Sequence, residues 1–299
     1  MNKKSFWTRR QALGSVGALP LASAVGIASA RAAIDLSNPA ESHKAHVKLR
    51  GSLVDEWVFR HYWGDVYAVL PERLPVPMFK FQGLIKAKWT NNGDGTHSEL
   101  LYDMSSFLDW KTESILGVFD NPISGEKNDV IQVWDGPSPT KYTIAGPVYP
   151  WTSKPPTAPV SLPWRIEDGH VWLTDSALFE RPHPLDPKEW PKASSGKTTL
   201  SMVNVTLSGR LADLEDSTQS APHDMRWSAT RSWLPWLHLG QIPGQLLTIG
   251  TGRKISGPQA LPQKMLEIID RQQPNYLTSD RPWTEALSSW DRYKKLRKP

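Results

Sequence analysis

The chain has 299 residues, 15 of them Trp and 26 Pro, with no Cys and a formal net charge of +5. The lack of Cys excludes disulfides, thiolate metal ligands and a Cys nucleophile. Lys3, Lys4, Arg9 and Arg10 supply most of the positive excess, so residues 31–299 are close to neutral and no nucleic-acid partner is expected.

Residues 1–30 run from a basic start through a Gly/Ala-rich apolar stretch to Ala28-Ser29-Ala30. This pattern reads as a secretory signal and is too short for a stable membrane anchor. Thr8-Arg9-Arg10-Gln11-Ala12-Leu13 resembles the twin-arginine export motif. The expectation is export to the periplasm by the twin-arginine machinery, with cleavage after Ala30 or Ala32 and a single β-rich domain over 31–299. His43 and His46 are expected to be exposed near the mature N-terminus.

From about His46 the pattern is strand-like. Trp57, Phe59, His61, Trp63, Tyr67 and Val69 fall on odd positions, which a strand places on one face. Gly64-Asp65 interrupts that run and suggests a bulge or a turn. Met78–Trp89 and His97–Met104 read as a hairpin about Asn91-Asn92-Gly93-Asp94-Gly95. Further strands are predicted at Ile115–Phe119, Asp129–Trp134, Lys141–Ile144, Trp164–Ile166, His170–Thr174, Thr198–Ser208, Met225–Leu234 and Gln245–Thr251. Trp151–Pro163 and Pro182–Pro191 read as Pro-rich loops. Helical spacing is confined to the end, at Pro262–Gln272 and Pro282–Lys295. The fold class expected is mainly β: an antiparallel, barrel-like (lipocalin-like) sheet with C-terminal helices. A closed barrel would also remove edge strands.

Several chemical motifs fail on inspection. Ser195-Gly196-Lys197-Thr198 lacks the first Gly of a phosphate-binding loop, because position 191 is Pro. Gly250-Thr251-Gly252 lacks the third Gly of a dinucleotide fingerprint. No Gly-x-Ser-x-Gly elbow and no His-Glu-x-x-His occurs. Eight scattered His define no metal site, and no cofactor is implied.

The functional candidates are polar groups set within aromatic stripes. His61 alternates with Phe59 and Trp63; His170 precedes Trp172; Tyr102 and Asp103 share a strand; Arg231 alternates with Trp227 and Trp233. An ionisable group on an aromatic face is desolvated, which shifts its pKa toward acid–base use. The expected catalytic set is His61, His170, Tyr102 and Asp103. Arg231 would hold an anionic group, and Trp63, Trp172 and Trp233 would line the pocket. At each single position, a structural role within the core or rim is the competing reading.

Five segments carry a family likeness: His46–Gly51 (HVKLRG), Tyr62–Pro71 (YWGDVYAVLP), Pro77–Gly83 (PMFKFQG), Asn121–Glu126 (NPISGE) and Trp233–Gly244 (WLPWLHLGQIPG). Together they resemble the bacterial family called domain of unknown function 1838, with Leu239 where that family usually has Met. The resemblance implies one domain from about residue 35 onward and brings no catalytic residues with it. Two functions are then in play. One is a cofactor-independent lyase, isomerase or hydratase acting on an apolar or aromatic small molecule. The other is a non-catalytic periplasmic binding protein of lipocalin-like type.

Overall fold

The computed structural model describes residues 34–150, 154–283 and 288–297. The signal reading at residues 1–30 lies outside the described residues. So do 151–153 of the first Pro-rich loop and 284–287 of the last predicted helix.

The first described element is a helix, α1 (Pro39–Arg50), where the sequence suggests strand from His46. Its start is well specified. The Asn38 side chain accepts from the Ala40 and Glu41 amides, Pro39 opens the helix, and Glu41 lies in the first turn while Lys48 and Arg50 lie in the last. The polar letters of HKAHVKLR conceal how deeply it is buried: Ala45, His46, Val47, Lys48 and Leu49 are all inside. His46 is therefore not exposed, and burial together with the neighbouring Arg50 lowers its pKa to about 3.

Among the described residues twelve strands follow, interspersed with short helices. They are β1 (Glu56–Val69), β2 (Val76–Asn91), β3 (His97–Leu108), β4 (Val118–Asp120), β5 (Lys127–Asp129) and β6 (Val133–Thr143). Next come β7 (Gly146–Val148), β8 (Trp164–Glu167), β9 (His170–Pro182), β10 (Thr198–Arg210), the short helix α2 (Leu211–Glu215), β11 (Asp224–Arg231) and β12 (Gln245–Ile255). Two helices close the chain, α3 (Gln263–Gln272) and α4 (Ser289–Leu296), the latter with a capping box between Ser288 and Asp291.

Ten strands form one antiparallel sheet, in the order β7-β6-β3-β2-β1-β12-β11-β10-β9-β8. It comprises two five-stranded meanders joined where β1 pairs with β12 over eleven residues, Phe59 to Val69. The sheet curls into a half-barrel and stays open, since β7 and β8 are not partners. The edge problem is met differently from closure. Both edge strands are very short, at 3 and 4 residues, and Pro147 and Pro163 flank the segment between them. The strand β1 also runs through Gly64-Asp65 without a break; the register shift comes later, between Val66 and Tyr67. Gly64 is there because of close packing: a Cβ would lie 2.1 Å from the Ile249 carbonyl oxygen.

The alternation of β1 decides what lies inside the curl. Val58, Arg60, Tyr62, Val66 and Ala68 are buried on the inner face, whereas the odd-numbered stripe faces outward. That outer stripe is partly covered by α3, which packs Met265, Ile268 and Ile269 over Leu84, Tyr102 and Met104. Trp233 and Trp236 belong to the large inner cluster. Trp236 sits 5.5, 5.6 and 6.0 Å from the rings of Phe79, Phe107 and Phe119, and Trp233 Nε1–H donates to the Ile242 carbonyl at 2.9 Å. The Asn121–Glu126 and Trp233–Gly244 segments meet here, because Asn121 donates to the Leu237 carbonyl at 2.9 Å. Two of the family-like segments thus build one end of the half-barrel.

Candidate functional site

The curl of the sheet encloses a cavity of about 320 Å³. Its walls come from strands far apart in the sheet, β6 on one side and β10 on the other, with β1, β2, β3, β11 and β12 between. Most of the wall is apolar, including Val66, Phe81, Phe107, Met225, Trp227 and Leu246. Gly250 lets Trp227 lie flat on β12, as a Cβ there would meet Trp227 Nε1 at 2.4 Å. Into this apolar setting project Arg50, Arg60, Tyr62, Asp103, Asp135 and Arg231.

These charged groups form two sets. Near α1, Arg60 donates to Glu99 at 2.5 Å, Tyr142 Oη–H donates to the other Glu99 oxygen at 2.6 Å, and Arg50 Nε lies 3.7 Å from Glu99. Burial pushes the Glu99 pKa upward, but the two guanidiniums and the Tyr142 hydroxyl outweigh it and hold the carboxyl below its usual range. Glu99 is therefore an ionised anchor.

The second set is less balanced. Tyr62 Oη–H donates to Asp103 Oδ1 at 2.5 Å. Asp103 keeps some surface along the cavity, yet protein surrounds its carboxyl. Burial pushes its pKa up to about 7, with Asp135 adding to the rise and the Tyr62 hydrogen bond, Arg60 and Arg231 opposing it. Asp135 lies directly across from Asp103 in the β3–β6 ladder and is also raised, mainly by burial, against the pull of Arg292 and Arg231. Like charges facing each other across strands destabilise a sheet, so ionisation of one carboxyl opposes ionisation of the other. A carboxyl near 7, fixed by a phenol that burial keeps protonated, can take up or release a proton at neutral pH.

The eight residues singled out from sequence do not converge. Asp103 and Arg231 reach the cavity. Tyr102, adjacent to Asp103, points outward beneath the C-terminal segment, edge-on to Trp283 with ring centroids 5.6 Å apart. Of the two residues offered as alternative catalytic partners, strand alternation thus turns Asp103 toward the cavity and Tyr102 away from it. His61 and Trp63 share an outer groove of about 860 Å³ with Gln82, Arg253 and Glu113. There His61 Nε2 lies 2.9 Å from Gln82 Nε2, and burial and Arg253 lower its pKa to about 4, so it is neutral at pH 7. His170 and Trp172 stand on the outer face at a third surface depression, with the exposed His170 ring 3.2 Å from the Asp168 carbonyl. Trp233 is buried in the core and does not line the cavity.

Sequence reasoning missed Arg60, Tyr62, Glu99 and Asp135. A usable signal existed on β1: the even set carries Val58, Val66 and Ala68, smooth aliphatics that belong inside, and Arg60 and Tyr62 share their parity. For Glu99 and Asp135 the partner strand and its register are needed, and no local pattern supplies them.

Among the described residues, no group of three or more His, Asp or Glu is placed to hold a metal ion, and no helix is long and apolar enough to cross a membrane. Fold and site together define an antiparallel half-barrel with a charged cavity in its curl. The chain belongs to the family described as protein of unknown function (DUF1838), whose model matches residues 55–297. No curated protein matches it.

Proposed function

We propose that this protein is an exported, periplasmic acid–base enzyme of the lyase, isomerase or hydratase kind. It acts without a bound cofactor on an apolar or aromatic small molecule held inside the half-barrel. The observation that carries this reading is the Tyr62–Asp103 hydrogen bond in an apolar cavity, with the carboxyl near 7. Asp103 would remove a proton from a C–H or O–H of the substrate and return it to a different atom, or to a leaving group. Tyr62 fixes the carboxylate and steadies its charge once the proton has left. Arg231 would face an oxygen of the substrate on which negative charge develops.

His61, His170 and Tyr102 take no part in this mechanism, because each projects away from the cavity. The test compares wild type, Asp103→Asn and His61→Ala on a panel of small aromatic and terpenoid compounds. Loss of turnover in Asp103→Asn with retention in His61→Ala supports the proposal. Ligand-dependent Trp fluorescence without turnover of any compound would favour the binding-protein reading instead.

A further inference from the structure

Arg231 ends β11 and lines the cavity. Among the described residues nothing hydrogen-bonds its guanidinium or lies within ion-pair distance, although Asp135, Tyr62 and Asp103 attract it, and its Nε–H is shielded from solvent without an acceptor. A guanidinium has five donors in a planar fork, and leaving them unmatched in an apolar wall is unfavourable. The other two arginines of the cavity differ: Arg60 and Arg50 both face Glu99. Even so, their Nε–H groups also lack acceptors.

The charge balance points the same way. The cavity holds three guanidiniums, of which Arg60 and Arg50 face the firmly ionised Glu99, and two carboxyls that resist ionisation. Whenever Asp103 and Asp135 hold protons, the cavity is cationic. A planar carboxylate matches the guanidinium fork in two parallel hydrogen bonds. The remaining wall, with Phe81, Met225, Trp227 and Leu234, offers only apolar contact.

We infer that the ligand is an amphiphilic carboxylate, its head on Arg231 and its hydrocarbon or aryl body against that wall, and that its binding draws a proton onto the Asp103–Asp135 pair. The inference rests on the cavity being the working site, as proposed above. Proton uptake follows because a second negative charge beside the pair disfavours ionisation of both. The groups facing Asp103 are Tyr62 and Arg60 on β1, Asp135 on β6, Arg231 on β11, and Tyr276 after α3. Those facing Asp135 are Asp103, Arg231, and Arg292 and Asp291 on α4.

The test is calorimetry on the full chain with cinnamate and octanoate against cinnamamide and octanamide. It is run at pH 6 and pH 8, in buffers of different ionisation enthalpy. The acids are expected to bind at least about tenfold tighter than the amides at pH 6, a difference of about 1.4 kcal/mol. They should weaken at pH 8 and take up a proton on binding. Arg231→Gln should lose that preference and Arg231→Lys keep part of it. The double variant Asp103→Asn with Asp135→Asn should bind without proton uptake. Amides that bind as well as acids, acids that fail to bind, or a folded Arg231→Gln that binds like wild type would each overturn the carboxylate. Binding of acids with no proton uptake in wild type would overturn the coupling. If Arg231→Gln does not fold, the acid–amide comparison on wild type decides. Carboxylate binding with turnover intact in Asp103→Asn would leave this inference standing and remove the acid–base reading.

Discussion

His61 and Tyr62 are neighbours on β1, and strand alternation sends them to opposite sides of one sheet. The outer groove that His61 enters is the roomier, at about 860 Å³ against about 320 Å³ for the inner cavity. Its Glu113 and His61, however, are already engaged, while Arg253 lies over the Trp63 ring, 5.6 Å from its centroid. Glu113 accepts from Lys80 at 2.7 Å and from Lys264 at 3.0 Å, and His61 is held neutral beside Gln82. In the inner cavity a guanidinium stands unmatched and two carboxyls face each other across a ladder. The difference teaches that unsatisfied chemistry marks a site more sharply than volume does. It is also the reason the proposed acid–base role is given to a carboxyl near 7 rather than to an imidazole near 4.

Exchanging single residues between the two regions is the most direct way to break this comparison. Asp103→Asn should lower kcat/KM by about 10²–10⁴-fold, the usual worth of a positioned acid–base group. His61→Ala in the outer groove should leave it within about threefold, since general acid–base power is not withdrawn. Equal losses in both variants, measured on any compound that is turned over, would put the chemistry elsewhere.

The same contrast should hold for stability. Glu99→Gln strands the buried Arg60 and the partly buried Arg50 and should lower unfolding free energy by about 3–5 kcal/mol in denaturant titrations. Glu113→Gln breaks two pairs in the outer groove, but Glu113 is 46% exposed, so about 1 kcal/mol or less is expected. The Glu99 contribution also has a sign in pH. Its folded pKa is depressed, so this stabilisation is present above the unfolded carboxyl value of about 4.3 and is lost as pH falls through the folded value. The Gln variant should unfold in acid without that component.

How much of this was legible beforehand follows from what local pattern can encode. The odd stripe of β1 was correctly read as one face, because period-two alternation is local. Which face is inside was not legible, because Trp and Tyr suit an outer face covered by a helix as well as they suit a core. The aromatic content of the odd stripe drew attention to His61 and Trp63, while the inner face is marked by small aliphatics around Arg60 and Tyr62. Asp103 and Arg231 were found because each lies on a recognisable strand. The pairing of Asp103 with Asp135, and of Arg60 with Glu99, depends on register over long sequence separations. Helix α1 was missed for a related reason. Its buried Lys48 donates to the Leu214 and Asp216 carbonyls from across the fold, and nothing in its own letters announces that.

A smaller effect sharpens the role of Tyr62. Its hydroxyl donates to Asp103 and lowers the carboxyl pKa, opposing burial. Tyr62→Phe should therefore move the Asp103 titration above about 7, and the acidic limb of any pH–rate profile, where the base Asp103 loses its proton, should move to higher pH with it. Carboxyl ¹³C chemical shifts would follow the residue directly. An unmoved or lowered titration would mean that the hydrogen bond does not govern Asp103.

A further expectation concerns stability near neutrality, where the inner cavity should work against the fold. Asp103 binds its proton more tightly folded than unfolded, because its pKa is raised from 3.8 to about 7. Between those values the native state holds more protons than the unfolded chain, so this residue's contribution to stability declines as pH rises. It is fully present below the unfolded value and gone once pH passes the folded one. Asp103→Asn removes the titration and should flatten stability between pH 4 and pH 7, and above pH 7 it should equal or exceed wild type. His61 runs the other way, since its pKa is lowered from 6.5 to about 4. The unfolded chain holds the extra proton there, and His61 adds stability as pH rises through the same interval. The pH dependence of unfolding free energy in Asp103→Asn and His61→Ala should thus deviate from wild type in opposite directions. Deviations of the same sign would show that the two faces of β1 are not the electrically distinct environments described.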